Sequence, residues 1–274
     1  MKKSLLLIIS IATVLALFAQ QPSKKEQKKL RKEIGVPENF VYIPHGDSSF
    51  WMMKTEVPNE MYQTFLSSLK AQGKDKEYQM ALTNQELWSK LTQDNQRHFY
   101  DTSSTFKLYP VLNISHDAAV LYCKWLNTFL IDTTWEYRLP SREEWMYAAA
   151  ADRYAEYSMG TPFLTNSKGI SLYCYKNVGD ECIHEDENGT LKVYKIEWAT
   201  HKFRYPNHVQ SLYPNDWGLY NMCGNAAEMV NEQGIAVGGS WNNTGYDIRI
   251  ESIQPFIQPS PMVGFRPVLV KKGK

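Results

Sequence analysis

Apolar residues recur at helical spacing in three stretches of the chain. Met61, Phe65 and Leu69 repeat every four positions, with Tyr62 and Leu66 beside them, which predicts a helix within Thr55 to Leu69. A second helix is predicted from Ser115. This serine is a good N-cap, Asp117 places a negative charge in the first turn, and Ala118, Leu121, Tyr122, Trp125 and Leu126 line one face. A third begins after Pro140, where Ser141 and Glu144 have capping-box spacing and Trp145, Ala148 and Ala149 form the inner side. Two short apolar runs read instead as strands, Phe40 to Pro44 and Phe50 to Lys54, with Gly46 and Asp47 marking a turn between them. Residues 70 to 108 are polar and irregular and read as an insertion, with one helical turn expected at Leu87 to Leu91.

The N-terminus follows a different pattern. Lys2 and Lys3 precede an apolar run from Leu5 to Phe18, and Ala19 closes it with a small residue. Basic, apolar, small is the order of a secretory leader, and the run is shorter than the roughly 20 residues that span a bilayer. A cleavable signal peptide over residues 1–19 is expected, with a buried N-terminal helix or an uncleaved anchor as the other reading. The first cysteine is Cys123, so no lipid-attachment cysteine follows the run. Residues 20–38 are rich in Lys, Glu and Gln and read as a polar linker or a short exposed helix. One domain over residues 39–270 follows.

Composition narrows the class. Without Lys2 and Lys3 the 30 basic side chains become 28, against 29 acidic ones. That balance gives no electrostatic case for nucleic acid or for an anionic membrane surface. Aromatics make up 13% of the residues, with 8 Trp and 17 Tyr, and turn dipeptides are frequent. An irregular, loop-rich α+β fold held by buried rings is expected. Of the four cysteines, Cys174 and Cys182 flank the short polar segment Tyr175 to Glu181 and form the preferred disulfide among three possible pairings. Cys123 and Cys223 lie in apolar contexts and read as buried thiols.

The candidate chemistry is sparse. The six histidines show no pair at metal-site spacing, and His184 beside Glu185, Asp186 and Glu187 has the side chains to hold a cation but reads better as a solvated loop. Gly238, Gly239 and Ser240 lack the lysine and flanking elements of a phosphate loop, and Ser240 lacks a nucleophile elbow. The turn from Asn221 to Glu228 offers amides, freed carbonyls and a carboxylate. It suits either a hard cation such as Ca²⁺ or an ordinary loop in which Asn225 and Glu228 cap backbone groups.

The order of these blocks carries more information than any one of them. Glu56-Val57-Pro58-Asn59, Asp117-Ala118-Ala119, Arg138 to Trp145 (RLPSREEW), Gly218 to Asn225 (GLYNMCGN), Gly238 to Trp241 (GGSW) and Gly264-Phe265-Arg266 occur in series. The series resembles the formylglycine-generating enzyme, or sulfatase-modifying factor, family over about Phe40 to Val268. The resemblance implies a C-type-lectin-like α+β fold with little regular secondary structure. It also implies a calcium site at Asn221, Gly224, Ala226 and Glu228. In the family, two cysteines after the glycine-serine block bind copper; here those positions are Asn243 and Ile248, and no cysteine follows Gly238. A carboxamide and an alkyl group cannot replace two thiolates, so copper and formylglycine formation are not expected. The run Ala227 to Val230 also departs from the aromatic pattern that commonly follows the Asn-Ala pair.

The functional expectation is therefore an exported, non-catalytic, calcium-stabilised domain that binds a peptide or protein partner in the periplasm or beyond, similar to members associated with gliding motility and secretion. Ser240, Trp241, Asn243, Tyr246, Asp247 and Arg249 are its candidate cleft residues. The alternative is an extracytoplasmic oxidoreductase with a rewired site in the same segment.

Overall fold

The computed structural model describes residues 22–84, 100–176, 182–185, 188–194 and 205–273; for 182–185 and 191–194 it describes the backbone course alone. The expected turn at Leu87 to Leu91 and the leader at residues 1–19 lie outside these ranges, as does part of the acidic stretch around His184.

The polar stretch after the leader begins with helix α1, Lys24–Ile34, which starts at a complete capping box between Ser23 and Glu26. Its lysines face solvent, while Ile34 and Val36 enter the core and Leu30 packs against it. The stretch is therefore seated on the domain. Strands β1 (Phe40–Ile43) and β2 (Phe50–Met53) follow and pair antiparallel, with Tyr42 opposite Trp51. Helix α2 (Asn59–Ala71) and helix α3 (Asp75–Ala81) come next.

Ser115 accepts a hydrogen bond from the Ala118 amide and starts helix α4, His116–Asn127. Its fully buried face is Ala118, Ala119, Tyr122, Cys123 and Leu126, while Leu121 and Trp125 are half-buried and pack against its edge. Strand β3 (Trp135–Arg138) leads to helix α5 (Arg142–Ala150), where both capping-box bonds form and Trp145, Ala148 and Ala149 are buried as expected. Two four-residue strands, β4 (Cys182–Glu185) and β5 (Leu191–Tyr194), make a separate hairpin. The remaining strands are β6 (Ala227–Met229), β7 (Gly234–Val237), β8 (Ile253–Phe256), β9 (Val263–Phe265) and β10 (Val268–Lys271).

Two four-stranded sheets organise the domain. One runs β1-β2-β10-β3, all antiparallel; the other runs β8-β7-β6-β9, with β6 and β9 parallel. The last strand thus pairs with elements more than a hundred residues earlier. The result is the mixed α+β, loop-rich architecture expected from the sequence. Rings fill the core: Tyr62, Phe65, Tyr122, Trp125 and Phe265 contact one another at centroid separations of 5.3–6.4 Å, mostly in edge and tilted geometries, with Tyr62 stacked on Tyr122. Among the described residues no helix is long and apolar enough to cross a membrane.

One expectation is corrected. Cys174 is a free, fully buried thiol, so the bridge to Cys182 is not made. Its backbone is held in a bridge to Gly224, and its side chain joins Tyr100, Leu112, Ala226 and Trp241 in a small apolar cluster. Cys123 and Cys223 are buried thiols, as the sequence suggests.

Candidate functional site

The turn from Asn221 to Glu228 folds tightly onto the strands around it. Gly224 has φ +79°, and a Cβ there would lie 2.3 Å from the Cys174 carbonyl oxygen, so only glycine allows this approach. Asn221 and Asn225 also have positive φ, a conformation that asparagine tolerates better than most residues. The Gly224 amide donates to the Gly238 carbonyl at 2.8 Å, and the Trp241 amide donates to the Asn225 carbonyl at 2.9 Å. The turn and the glycine-serine block thereby lock together.

Beneath this lock lie three completely buried ionisable side chains: Glu56, Glu228 and Arg266. Arg266 forks onto Glu228, with Nε to Oε2 at 2.7 Å and Nη2 to Oε1 at 2.6 Å. Trp145 Nε1 also donates to Glu228 Oε2, at 2.8 Å. The other Arg266 donors reach the carbonyls of Met53, Lys54 and Tyr220. Glu56 accepts from Asn225 Nδ2 at 2.8 Å and Asn221 Nδ2 at 3.2 Å, while Asn225 Oδ1 is fixed by the Asn207 amide at 2.7 Å. Burial pushes the Glu56 carboxyl up to about 7; Arg266 opposes that shift and Glu228 adds to it.

This geometry decides what the expected calcium ligands do. Both Glu228 oxygens accept charge-assisted hydrogen bonds, and a guanidinium already neutralises the carboxylate. A divalent ion at Glu228 would have to displace Arg266 or sit against its charge. Asn221 and Asn225 turn their amide nitrogens toward Glu56, and nitrogens of that kind donate hydrogen bonds and do not ligate cations. The arrangement does not fit a carboxylate-ligated calcium ion. Among the described residues, no group of three or more His, Cys, Asp or Glu side chains converges on a point.

The cleft candidates separate into two groups. Asn243 Oδ1 closes the glycine-serine turn, accepting from Ser240 N at 3.0 Å and Ser240 Oγ at 2.6 Å. Ile248 is fully buried, with Cγ2 only 2.8 Å from where a Cβ on Gly239 would stand. Trp241 is buried and donates to the Pro261 carbonyl, and Ser240 is buried too. Asp247 accepts from the Thr244 amide and hydroxyl at 3.2 and 2.7 Å, so its carboxylate closes a turn and does not pair with Arg249. Of the six, Tyr246 alone is exposed, while Asn243, Asp247 and Arg249 are half-buried. Tyr246 is 70% exposed, and the Arg249 guanidinium stacks 3.7 Å above its ring centroid. Arg249 borders a cleft of about 600 Å³, lined also by Tyr147, Arg153, Tyr154, Glu156 and Glu251.

Burial raises the thiols of Cys123 and Cys174 far above their ordinary value and that of Cys223 up to about 11. Among the described residues no cysteine is poised as a thiolate. Trp145 and Arg266 were visible in the sequence as motif residues but not as partners of Glu228. An acid between an apolar run and Val57-Pro58, and an arginine between Phe265 and Pro267, were the signals available for that core.

A loop-rich α+β domain with a glycine-asparagine turn locked over a buried carboxylate–guanidinium core defines the class of protein. The sequence matches the family model of the Sulfatase-modifying factor enzyme 1-like domain over residues 21–271, and the chain belongs to that family. Among solved structures it is similar to Treponema denticola variable protein 1, at 15% identity and TM-score 0.49, covering 81% of this chain and 84% of that one. It is also similar to PvdO from Pseudomonas aeruginosa (18%, TM-score 0.48, 81% and 80% covered) and to CarF (17%, TM-score 0.49, 86% and 94% covered). No curated protein matches the chain by sequence.

Proposed function

We propose that this chain is a non-catalytic, exported member of the sulfatase-modifying factor family, acting as a binding or scaffold module in the cell envelope. The observation that carries this reading is the use made of the two positions at which the family's copper cysteines fall. Asn243 spends its side-chain oxygen on the Ser240 turn, and Ile248 is sealed in the core. Neither position offers a soft ligand or an open coordination site. Export is supported by the basic, apolar and small sequence of residues 2–19.

Binding falls to the surface beside the old catalytic segment. The cleft at Arg249 combines two arginines, two glutamates, the exposed Tyr154 and the half-buried Tyr147, with Phe163 and Tyr246 standing out nearby. Aromatic anchors with mixed charge suit a peptide segment of a partner protein. We further propose that Arg266 takes the place of a calcium ion as the cation neutralising Glu228.

Copper capture by the purified domain is the test. Titrating Cu(I) against a competing chelator, then incubating with a cysteine-containing peptide under oxygen, should give no retained copper and no aldehyde product. Stoichiometric copper with aldehyde formation would overturn the proposal.

A further inference from the structure

A second concavity, of about 510 Å³, lies between helix α1 and the first sheet, on the other side of the Tyr147–Trp217 ring contact from the Arg249 cleft. Its wall is one face of α1: Lys24, Lys28 and Arg31 follow one another at the spacings that bring helix positions into line, with Gln27 between them. Lys54 adds a fourth cation, against the single carboxylate of Glu38. Tyr42, Trp51 and Trp217 supply aromatic lining.

The four cations are not equivalent. Arg31 is committed to the fold: Nη2 donates to the Phe40 carbonyl at 2.6 Å, and the guanidinium lies 4.7 Å from the Trp51 ring centroid. Among the described residues, by contrast, no salt bridge engages Lys24, Lys28 or Lys54. The Trp51 indole Nε1 is buried without a hydrogen-bond partner, which is rare for a donor of this kind. Ammonium groups without an ion-pair partner beside the half-buried rings of Tyr42 and Trp217 line a concavity of ligand size.

We propose that this groove binds an acidic sugar, meaning a pyranose that carries a carboxylate or a phosphate. Aromatic side chains pack against the apolar faces of a ring, while lysines meet the anionic group as mobile point charges. A folded protein partner would instead need a broad face of roughly 800 Å² per side.

The test is calorimetric titration of the domain at low salt with glucuronic acid, glucose 6-phosphate, neutral glucose and inorganic phosphate. At least one charged sugar should bind saturably and at least about tenfold more tightly than glucose or inorganic phosphate. The Lys28→Glu, Lys54→Glu double variant should lose that binding by tenfold or more, with an unchanged circular-dichroism melting curve, because Lys28 is exposed, Lys54 is half-buried and neither makes a salt bridge among the described residues. The choice between the two charged sugars reports whether the anion is a carboxylate or a phosphate. No saturable binding of either charged sugar would overturn the proposal. So would glucose or inorganic phosphate binding as tightly as the charged sugars, or a folded K28E/K54E variant that binds like the parent. The Arg249 cleft is untouched by these substitutions, so failure here leaves the reading of that cleft standing.

Discussion

Glu56 is served by two neutral amides, while the one guanidinium nearby gives its fork to Glu228. Desolvation therefore dominates, and its carboxyl moves from an ordinary 4.5 up to about 7. For an acid whose pKa is higher in the folded state, the folded protein keeps a proton that the unfolded chain gives up. The stability contributed by this group is full below about pH 4.5 and declines as pH rises to about 7. Thermal melting between pH 5 and 8 should show this decline in the parent protein and a flatter profile in Glu56→Gln. A variant profile parallel to the parent would sink the assignment. Nothing local in the sequence announces this residue: Glu56 follows an apolar strand, and its meaning depends on Asn221, Asn225 and Arg266, which lie at least 165 positions away. The roles of Asn243 and Asp247 were hidden for the opposite reason. Both close turns of four residues, and residue type alone does not separate a turn-closing oxygen from a functional one.

At the scale of elements, Arg266 sits between β9 and β10, where the chain passes from one sheet to the other. It ties Glu228 of β6 to the Met53 carbonyl of β2 and the adjoining Lys54 carbonyl. Removing one partner of a buried ion pair strands the other charge, at a cost of about 3–5 kcal/mol. Chemical denaturation should show a loss of that size for Arg266→Met. The Arg266→Met, Glu228→Leu double variant should lose clearly less than the sum of the two single losses; an additive result would mean that the pair is not coupled. The helices were legible because their signals are local. Ser115 and Ser141 cap where the sequence places them, and the apolar spacing marks the buried faces of α2, α4 and α5. The shift to Ala119 and Cys123 in α4 arises because the core packs on more than one line of the helix, so small residues go deepest and Leu121 and Trp125 stay at the edge. The later strands are only three or four residues long and owe their pairing to distant partners, such as Leu269 with Trp51 and Tyr137. No window of sequence carries that information.

For the whole molecule, the ordered blocks pointed to the family, and the family model across residues 21–271 agrees. What the blocks could not convey is how each position is used. The asparagine, glycine and glutamate of the expected calcium motif are all present, yet here they build a turn over an internal ion pair. The short polar segment after Cys174 suggested a disulfide, but Cys174 is packed as an apolar side chain. At Cys174 the chemistry read from residue type is replaced by a packing role. Arg266 as the domain's own cation is the claim on which this account rests. Thermal denaturation of the purified domain in millimolar calcium and in excess chelator tests it most directly. The two melting temperatures should agree within about 1 °C, since a ligand stabilises only by binding the native state. A saturable rise in melting temperature with calcium, abolished in Glu228→Gln, would contradict it.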